Sequence, residues 1–576
     1  MKNKSQLKKH FLGLSLLVLS VLMSNAQPVS WTKYYDATIP NTLGLDGTTG
    51  AVNIKYGPLN GSIYAYGTKQ INLPAVPSGY GFSRELTVVR YDNITGNKIN
   101  EVSAHIPLST DLTGHQDVAK EMVIGADGSI YIIGTNFYNT FYGYDIVVIK
   151  YNSSLVEQWR YYFDGNASSY DNAAGITLDN SGNICITGTI SDNGNGKGND
   201  IVVGKLTSSG SLVYEYIFNN SGTNNDIAKD ISTDNFGNAY VCGYSSTATN
   251  GTQFELIKLN SAGIFQWKKG YNGTTGLYND FPSTVLVDKN TGYVYVAGAA
   301  YNTSGNTDFA LLQYNSAGAL NFIKKVNNPG NSTDEATHIV VDGSSNVYVG
   351  GMVDRDISAS TNHDLIIKKF SSTGTLLGTK KFNGTNHDIT CCDLAISSSG
   401  YIYQTGWGTA PAPINGTTFI AVKYNTNFAY QFNDLLTPSG STCGEGYLGW
   451  SIAVNPANSE AVIGGRYFMD CPGANTEQWI IRRYSPSARI SDENASMSSN
   501  LNLYPNPANS VINFEISNSG STDYKAEIYD IQGRLIENLN IDDNSNSIDI
   551  SNLENGIYVL VLRNEENTFT EKFIKE

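Results

Sequence analysis

Six aspartates recur at near-constant spacing. Asp117, Asp171, Asp226, Asp280, Asp334 and Asp388 stand 54, 55, 54, 54 and 54 residues apart. A carboxylate repeated in this way has two chemical uses. Gathered at one mouth of a ring, the six would bind a cation, with calcium as the candidate ion, or a hydroxyl-rich ligand. Used inside each repeat, each would accept backbone N–H bonds and tie neighbouring repeats together. A second charge recurs with them: Arg90, Lys150, Lys205, Lys258, Lys369, Lys423 and Arg483 occupy one equivalent position. A cation packed between repeats needs an acidic partner, so ion pairs between neighbouring repeats are expected. Aromatic residues crowd one loop as Phe137, Tyr138, Phe141, Tyr142 and Tyr144, and Tyr80, Phe82, Trp407, Tyr467 and Phe468 lie on comparable loops. Rings beside carboxylates and amides suit a sugar, one stacking on its face while the others bind its hydroxyls. Such rings also pack loops onto a rim.

Other reactive residues are few. Asp179-Asn180-Ser181-Gly182-Asn183 has the look of a calcium loop, but it lacks EF-hand spacing and reads as a hairpin turn. Cys443 and Cys471 lie on irregular loops and are candidates for a disulfide, whereas Cys185 and Cys242 sit in strands as small apolar residues. His363 and His387 precede Asp364 and Asp388, which reads as solvated loop chemistry before metal or acid–base chemistry. The sequence contains no GxSxG, HExxH, P-loop or strand–helix GxGxxG. No catalytic residue is assigned on this basis.

These residues are positioned by an internal repeat. DVAKEMVIGADGSIYIIG (Asp117 to Gly134) returns as DNAAGITLDNSGNICITG (Asp171 to Gly188) and DIAKDISTDNFGNAYVCG (Asp226 to Gly243). It returns again from Asp280 to Gly298, Asp334 to Gly351 and Asp388 to Gly406, with degenerate copies ending at Gly67 and Gly465. Each copy predicts two strands around a turn. A third, β-branched strand follows, as in YDIVVIKY (144–151) and HDLIIKKF (363–370), and then a fourth such as IFQWKKGY (264–271). Continuous apolar runs of this kind suit strands buried on both faces. Four antiparallel strands per ~54 residues, repeated, is the pattern of a propeller blade.

The last repeat supplies three strands before residue 485. The missing one is at the start, where Trp31-Thr32-Lys33-Tyr34-Tyr35 resembles Trp159-Arg160-Tyr161-Tyr162. The expected fold is therefore an all-β, eight-bladed β-propeller closed by an N-terminal strand, with seven blades as the alternative. The repeats resemble the bacterial β-propeller repeat family, whose units carry a D-x-A-x-x-I-x-x-D-x-x-G-N-x-Y-V-x-G core. That resemblance implies a fold and leaves function open. Quinoprotein dehydrogenases are also eight-bladed propellers and can carry a vicinal disulfide, which Cys391-Cys392 resembles. The pair falls inside a repeat strand and the family's Trp motif is only loosely matched, so no quinone cofactor is expected.

The ends of the chain read as addresses. Residues 1–26 have a basic start (Lys2 to Lys9), an apolar stretch from Phe11 to Met23 and small residues before Gln27, which is a signal peptide pattern. No other run is long enough to span a membrane. Residues 486–500 read as a polar linker. Within 501–576, the segments YPNPA, YDIQGRLI, NGIYVLVL and Lys572-Phe573-Ile574-Lys575 resemble the C-terminal sorting domain of the type IX secretion system of Bacteroidetes. The resemblance implies a small Ig-like β-sandwich, type IX secretion machinery as partner, and a secreted or cell-surface destination. The propeller itself would span 27–485.

Composition agrees with an exported β protein. Of 576 residues, 15% are charged, there are 57 Gly and 37 Tyr, and formal net charge is −15. Without residues 1–26 there remain 33 basic against 52 acidic residues, a balance of −19. Nucleic acid and anionic membranes need a basic footprint, so neither is an expected partner. The expected function is a non-catalytic binding or adhesion propeller. Its ligand would be a glycan or surface component, held by the six aspartates with Phe137, Tyr138, Phe141, Tyr142 and Trp407. The alternatives are a polysaccharide-degrading enzyme on the same face or a structural surface-layer component.

Overall fold

The computed structural model describes residues 29–484 and 501–576, apart from 37–49, 60, 73–81, 105–116, 140–142, 164, 166–168, 192–197, 221–224, 248–250, 275–277, 304, 327–332, 355–362, 383–389, 411–415, 426, 439–443, 472–473, 517–523, 531–534, 542–546 and 564–567. The predicted signal peptide and linker fall outside the described residues. The chain divides into two compact units, Met1–Ala488 and Arg489–Glu576.

The larger unit is a β-propeller. Each blade is a four-stranded antiparallel meander, as in the second, Val118–Ile124, Ile130–Asn139, Gly143–Tyr151 and Glu157–Phe163. The first strands of successive blades are Ala51–Tyr56, Val118–Ile124, Asn172–Leu178, Asp226–Thr233, Phe281–Val287, Glu335–Val341, Thr390–Ile396 and Gly444–Val454. Each packs against the next, and Gly444–Val454 returns to Ala51–Tyr56, so the first strands form a closed inner ring. The blade begun by Gly444–Val454 is completed by Val29–Asp36, which runs antiparallel to Ala474–Tyr484 with Trp31 opposite Arg483 and Tyr35 opposite Trp479. Pairing the two ends in one sheet removes an open edge.

The core is a succession of layers between blades. Tyr66, Leu86 and Val88 of the first blade pack on Met122, Ile132, Val147 and Ile149 of the second. Ile146 and Val148, on the opposite face of that same third strand, pack on Ile176, Ile186 and Val202 of the third blade. Alternate residues therefore serve different layers, which is why the third strands read as unbroken apolar runs.

Every blade also carries a bulge between its first and second strands, and the repeat's terminal glycine explains it. The pairing of first and second strands skips one residue after Ala119, Ala173, Ala228, Pro282, Ala336, Cys391 and Gly449, and likewise after Ala51. Opposite this bulge stands the glycine. A Cβ on Gly243 would lie 2.3 Å from the carbonyl oxygen of Ile227, and one on Gly351 would lie 2.0 Å from that of Glu335. The bulge folds a carbonyl over a place that only glycine leaves empty.

The smaller unit has a three-stranded sheet of Leu501–Tyr504, Val511–Ile516 and Ser547–Asp549. Its second sheet takes Leu535–Ile541, Tyr524–Asp530, Gly556–Arg563 and Thr568–Lys575 in that spatial order. Ile512, Phe514, Ile528, Leu560, Leu562 and Phe573 form its own core.

Candidate functional site

The leading aspartates stand at the heads of the first strands and are buried. Asp117, Asp171, Asp226, Asp280 and Asp334 are at most 3% exposed. Asp171 accepts the N–H of Gly165 on Oδ2 and that of Ser191 on Oδ1, each at 2.9 Å. Asp280 repeats the arrangement with Gly273 at 2.8 Å and Tyr301 at 2.6 Å. Asn220 donates its N–H to Asp226 at 2.6 Å, and the Asn136 amide donates to Asp117 at 2.8 Å. Main-chain N–H groups complete the joint. Asp117, Asp171, Asp280 and Asp334 donate to the carbonyls of Arg84, Tyr144, Thr252 and Thr307, each at the head of the preceding blade's third strand. Burial raises the carboxyl pKa of Asp226 and of Asp280, and the N–H bonds work against that rise. These groups fasten loop to strand and blade to blade. Asp388 lies outside the described residues.

The recurring third-strand cations take partners inside their own blade, not in the next one. Lys205 Nζ is 2.8 Å from Asp179 Oδ2 of the same blade's first turn, both groups being buried. Arg483 pairs with Glu460 and Lys369 with Asp342 in the same way. Across the blade boundary the cation meets a carbonyl instead: Lys150 donates to Ser208 O, Lys205 to Ser261 O and Lys258 to Ser316 O. The expectation of ion pairs between blades is corrected on this point. The turn carboxylate is already within reach inside the sheet, leaving the neighbour to supply a backbone acceptor. Tyrosine rings complete the niche, with Lys258 over Tyr240 at 5.0 Å and Lys369 over Tyr348 at 4.9 Å. Where the repeat has Gln313, its amide donates to the Tyr295 hydroxyl and to Ser372 O.

The Asp-rich turns close on themselves. Asp179 accepts the N–H groups of Ser181 and Asn183 and the Asn183 amide, and Asp234 and Asp342 repeat this pattern. Among the described residues no three His, Cys, Asp or Glu are grouped to hold a metal.

The inner ring is more varied. The bulge residues are Val52, Lys120, Ala174, Lys229, Ser283, Thr337, Cys392 and Trp450. After three of the bulges comes a carboxylate that reaches the next blade's first strand: Glu121 accepts Ile176 N–H, Asp230 accepts Val285 N–H and Asp393 accepts Ile452 N–H. Burial, and then the charge of Asp230, pushes the Glu121 carboxyl up to about 7. Gly175 stands between them, and a Cβ there would lie 3.3 Å from Asp230 Oδ1.

Aromatic residues on the strand-head face fall into two groups. The side chains of Phe137 and Tyr138, in strand Ile130–Asn139, and residues Phe141 and Tyr142 lie outside the described residues. Tyr80 and the Phe82 side chain do as well. Trp407 is half-buried, with its indole beside the Cys392 sulfur. Tyr467 packs on Tyr447 at 4.8 Å. Two rings absent from the sequence reading are more exposed. Tyr170 is 66% exposed and stacks on Tyr144 at 5.0 Å, and Tyr278 is 39% exposed and stacks on Tyr301 at 4.3 Å and 13°. Both lie on short added strands, Ser169–Tyr170 and Tyr278–Asn279, which pair in parallel with the third-strand heads of the second and fourth blades. Their sequence signal was their position, one and two residues ahead of a leading aspartate.

Cys185, Cys242, Cys391 and Cys392 are free thiols, so the adjacent pair forms no vicinal disulfide. Burial raises the Cys391 thiol to about 11 and that of Cys185 to about 12. Cys443 and the Cys471 side chain lie outside the described residues.

Comparison with known proteins adds the following. Residues 502–576 match the family described as secretion system C-terminal sorting domain. No curated protein matches the chain. Similar solved structures include the Dos1 propeller, at 10% identity and TM-score 0.44 over 80% of this chain and 96% of that one. The WD40 domain of SCAP from fission yeast is similar at 8% identity and TM-score 0.37, over 79% and 98% of the respective chains. The β-propeller domain of the Trilobed protease from Pyrococcus furiosus is similar at 9% identity and TM-score 0.35, over 65% and 97%. By its own closed run of antiparallel meanders the larger unit is a β-propeller, and the chain ends in a type IX secretion sorting domain. Such a chain is secreted or held at the cell surface, with the secretion machinery as a partner. No helix among the described residues is long and apolar enough to cross a membrane.

Proposed function

We propose that the protein is an eight-bladed, non-catalytic propeller that binds a glycan on its strand-head face outside the cell. A signal peptide over 1–26 and a linker over 486–500 complete the organisation, and the tail is an Ig-like sandwich. The blade count rests on the closed run of first strands, each opening a four-stranded meander. The binding role rests on one observation: stacked tyrosine pairs with exposed outer rings, Tyr144 with Tyr170 and Tyr278 with Tyr301, on loops rich in Asn, Ser and Gly. A ring already stacked from behind loses little freedom when a sugar covers its open face, which favours binding. The leading aspartates are proposed as the scaffold beneath this face, because Asp171, Asp226 and Asp280 accept backbone N–H bonds and Asp117 accepts the Asn136 amide.

The test is glycan-array binding of the mature chain, with calcium and with chelator. Saturable, selective signal that falls in a Tyr170→Ala/Tyr278→Ala variant supports the reading. A blank array in both conditions rejects it. Loss of signal on chelation would return the aspartates from scaffold to site.

A further inference from the structure

The repeat provides its own control for finding a site. A position that the scaffold needs is filled alike in each blade, as the glycine opposite the bulge is. The bulge position is not: Val52, Lys120, Ala174, Lys229, Ser283, Thr337, Cys392 and Trp450 share one backbone setting and little chemistry. A bulge turns its residue out of the ladder and re-aims it. In the second and fourth blades that residue is an exposed lysine, while Ala119 and Ala228 just before them are buried. The third blade, between them in the ring, has the small Ala174 and Gly175 at the corresponding positions.

These two lysines occupy the same bulge position two blades apart on the inner ring, and the Lys229 ammonium lies 5.5 Å over the Tyr244 ring. Among the described residues neither Lys120 nor Lys229 makes an ion pair. The Lys229 ammonium is held below the usual lysine range, first by partial burial and then by repulsion from Lys120, with Glu335 acting against both. The carboxylates of the inner ring are turned elsewhere. Glu121 accepts Ile176 N–H, Asp230 accepts from Thr284, Val285 and Ile231, and Glu335 accepts from Ser283. Like charges that repel each other oppose folding, and nothing in the blade geometry requires lysine at this position, since six other blades do without it.

A second observation coincides with the first. The two blades that carry these lysines are also the two that carry an added parallel strand bearing a stacked tyrosine. Ser169–Tyr170 joins the second blade, where Tyr170 stacks on Tyr144, and Tyr278–Asn279 joins the fourth, where Tyr278 stacks on Tyr301 of the fifth blade. The seventh blade has a similar parallel joint, Gly416 to Glu445, without a tyrosine in the pairing. Lysine and tyrosine platform thus occur together twice, on the same end of the ring, with one small-residue blade between them.

We infer that the second and fourth blades form a paired site for an acidic polysaccharide, in which Lys120 and Lys229 hold carboxylate or sulfate groups of the chain while the two tyrosine pairs carry sugar rings. This deepens the glycan reading and rests on it. The acidic balance of the whole protein does not prevent such contact. At physiological salt, charges beyond about 8 Å are largely screened, so the local pair dominates at the site.

Affinity electrophoresis of the mature chain tests this, with polygalacturonate, dextran sulfate and neutral laminarin in the gel. The wild-type chain should be retarded by one or both acidic polymers, less so as salt is raised. Retardation by polygalacturonate identifies a carboxylate as the bound group, and by dextran sulfate alone a sulfate. Lys120→Gln/Lys229→Gln should weaken the acidic interaction about tenfold and leave the thermal transition within a few degrees of wild type. Equal retardation by neutral and acidic polymers, unchanged in the double variant, overturns the inference and leaves the glycan reading standing. No retardation by any polymer, together with a blank array, overturns both.

Discussion

At the scale of single residues, this protein uses charge mostly as fastening. Lys205 and Asp179 are both buried, so removing one leaves the other without its counter-ion in a poor dielectric. Lys205→Met should lower unfolding free energy by about 3 kcal/mol, read as a shift of the urea midpoint without a change in slope. Glu121 gives the opposite sign of effect. Its folded-state pKa lies near 7, above the ordinary carboxyl value, so the folded chain holds its proton more tightly than the unfolded chain. The resulting stability is complete below the unfolded pKa and is lost as pH rises toward 7. Glu121→Gln keeps an acceptor for Ile176 N–H and cannot ionise. Its melting temperature should therefore gain on wild type between pH 5 and pH 8. A constant difference across that range would remove the assigned cause.

At the scale of the element, the joint between first and second strands deserves the closest test. The bulge and its facing glycine depend on each other, because the carbonyl that the bulge throws inward occupies the glycine's missing side chain. Gly243→Ala should cost about 1–3 kcal/mol through forced backbone shifts. Gly182→Ala provides the contrast: nothing lies within 4 Å of the added carbon, and only its positive φ of 76° opposes the change. Its cost should stay near 1 kcal/mol. Paired urea titrations of the two variants check the order. If Gly182→Ala proved the more harmful, the account of the bulge would be wrong. The bulge also aims Lys229, so Gly243→Ala should weaken binding of acidic polymer even where the protein remains folded.

At the scale of the whole molecule, two compact units divide the work. The tail supplies the address and the propeller the surface. Removing residues 502–576 should leave the propeller folded and keep it inside the cell envelope, as immunoblots of medium, surface and periplasmic fractions would show. Recovery of the truncated chain in the medium would mean that the sorting domain is dispensable for export. The N-terminal strand belongs to the same scale. Val29–Asp36 lies more than 430 residues from its partner Ala474–Tyr484 in sequence, yet it supplies the outer strand of that blade, where Tyr35 packs on Trp479 at 5.0 Å.

Much of this was legible in the residues alone. Periodic aspartates, terminal glycines and β-branched runs fixed the strands, their repeat and the partner of the first strand, because period-two burial and turn chemistry are local and recur in each copy. The tail was legible through its ordered motifs. What the repeat could not reveal was direction. The recurrence predicts an acidic partner for Lys205 in the neighbouring blade, but its own blade's turn carboxylate takes the charge and the neighbour supplies only a carbonyl, which is a matter of distance across a sheet. The leading aspartates could have faced a ligand or a loop N–H, and one sequence serves both until the loop is folded against the carboxylate. Lys120 and Lys229 lie 109 positions apart and carry no motif. Closure of the ring with a bulge in each blade sets both on the inner ring at the same position, and only the folded chain makes them candidates for one site.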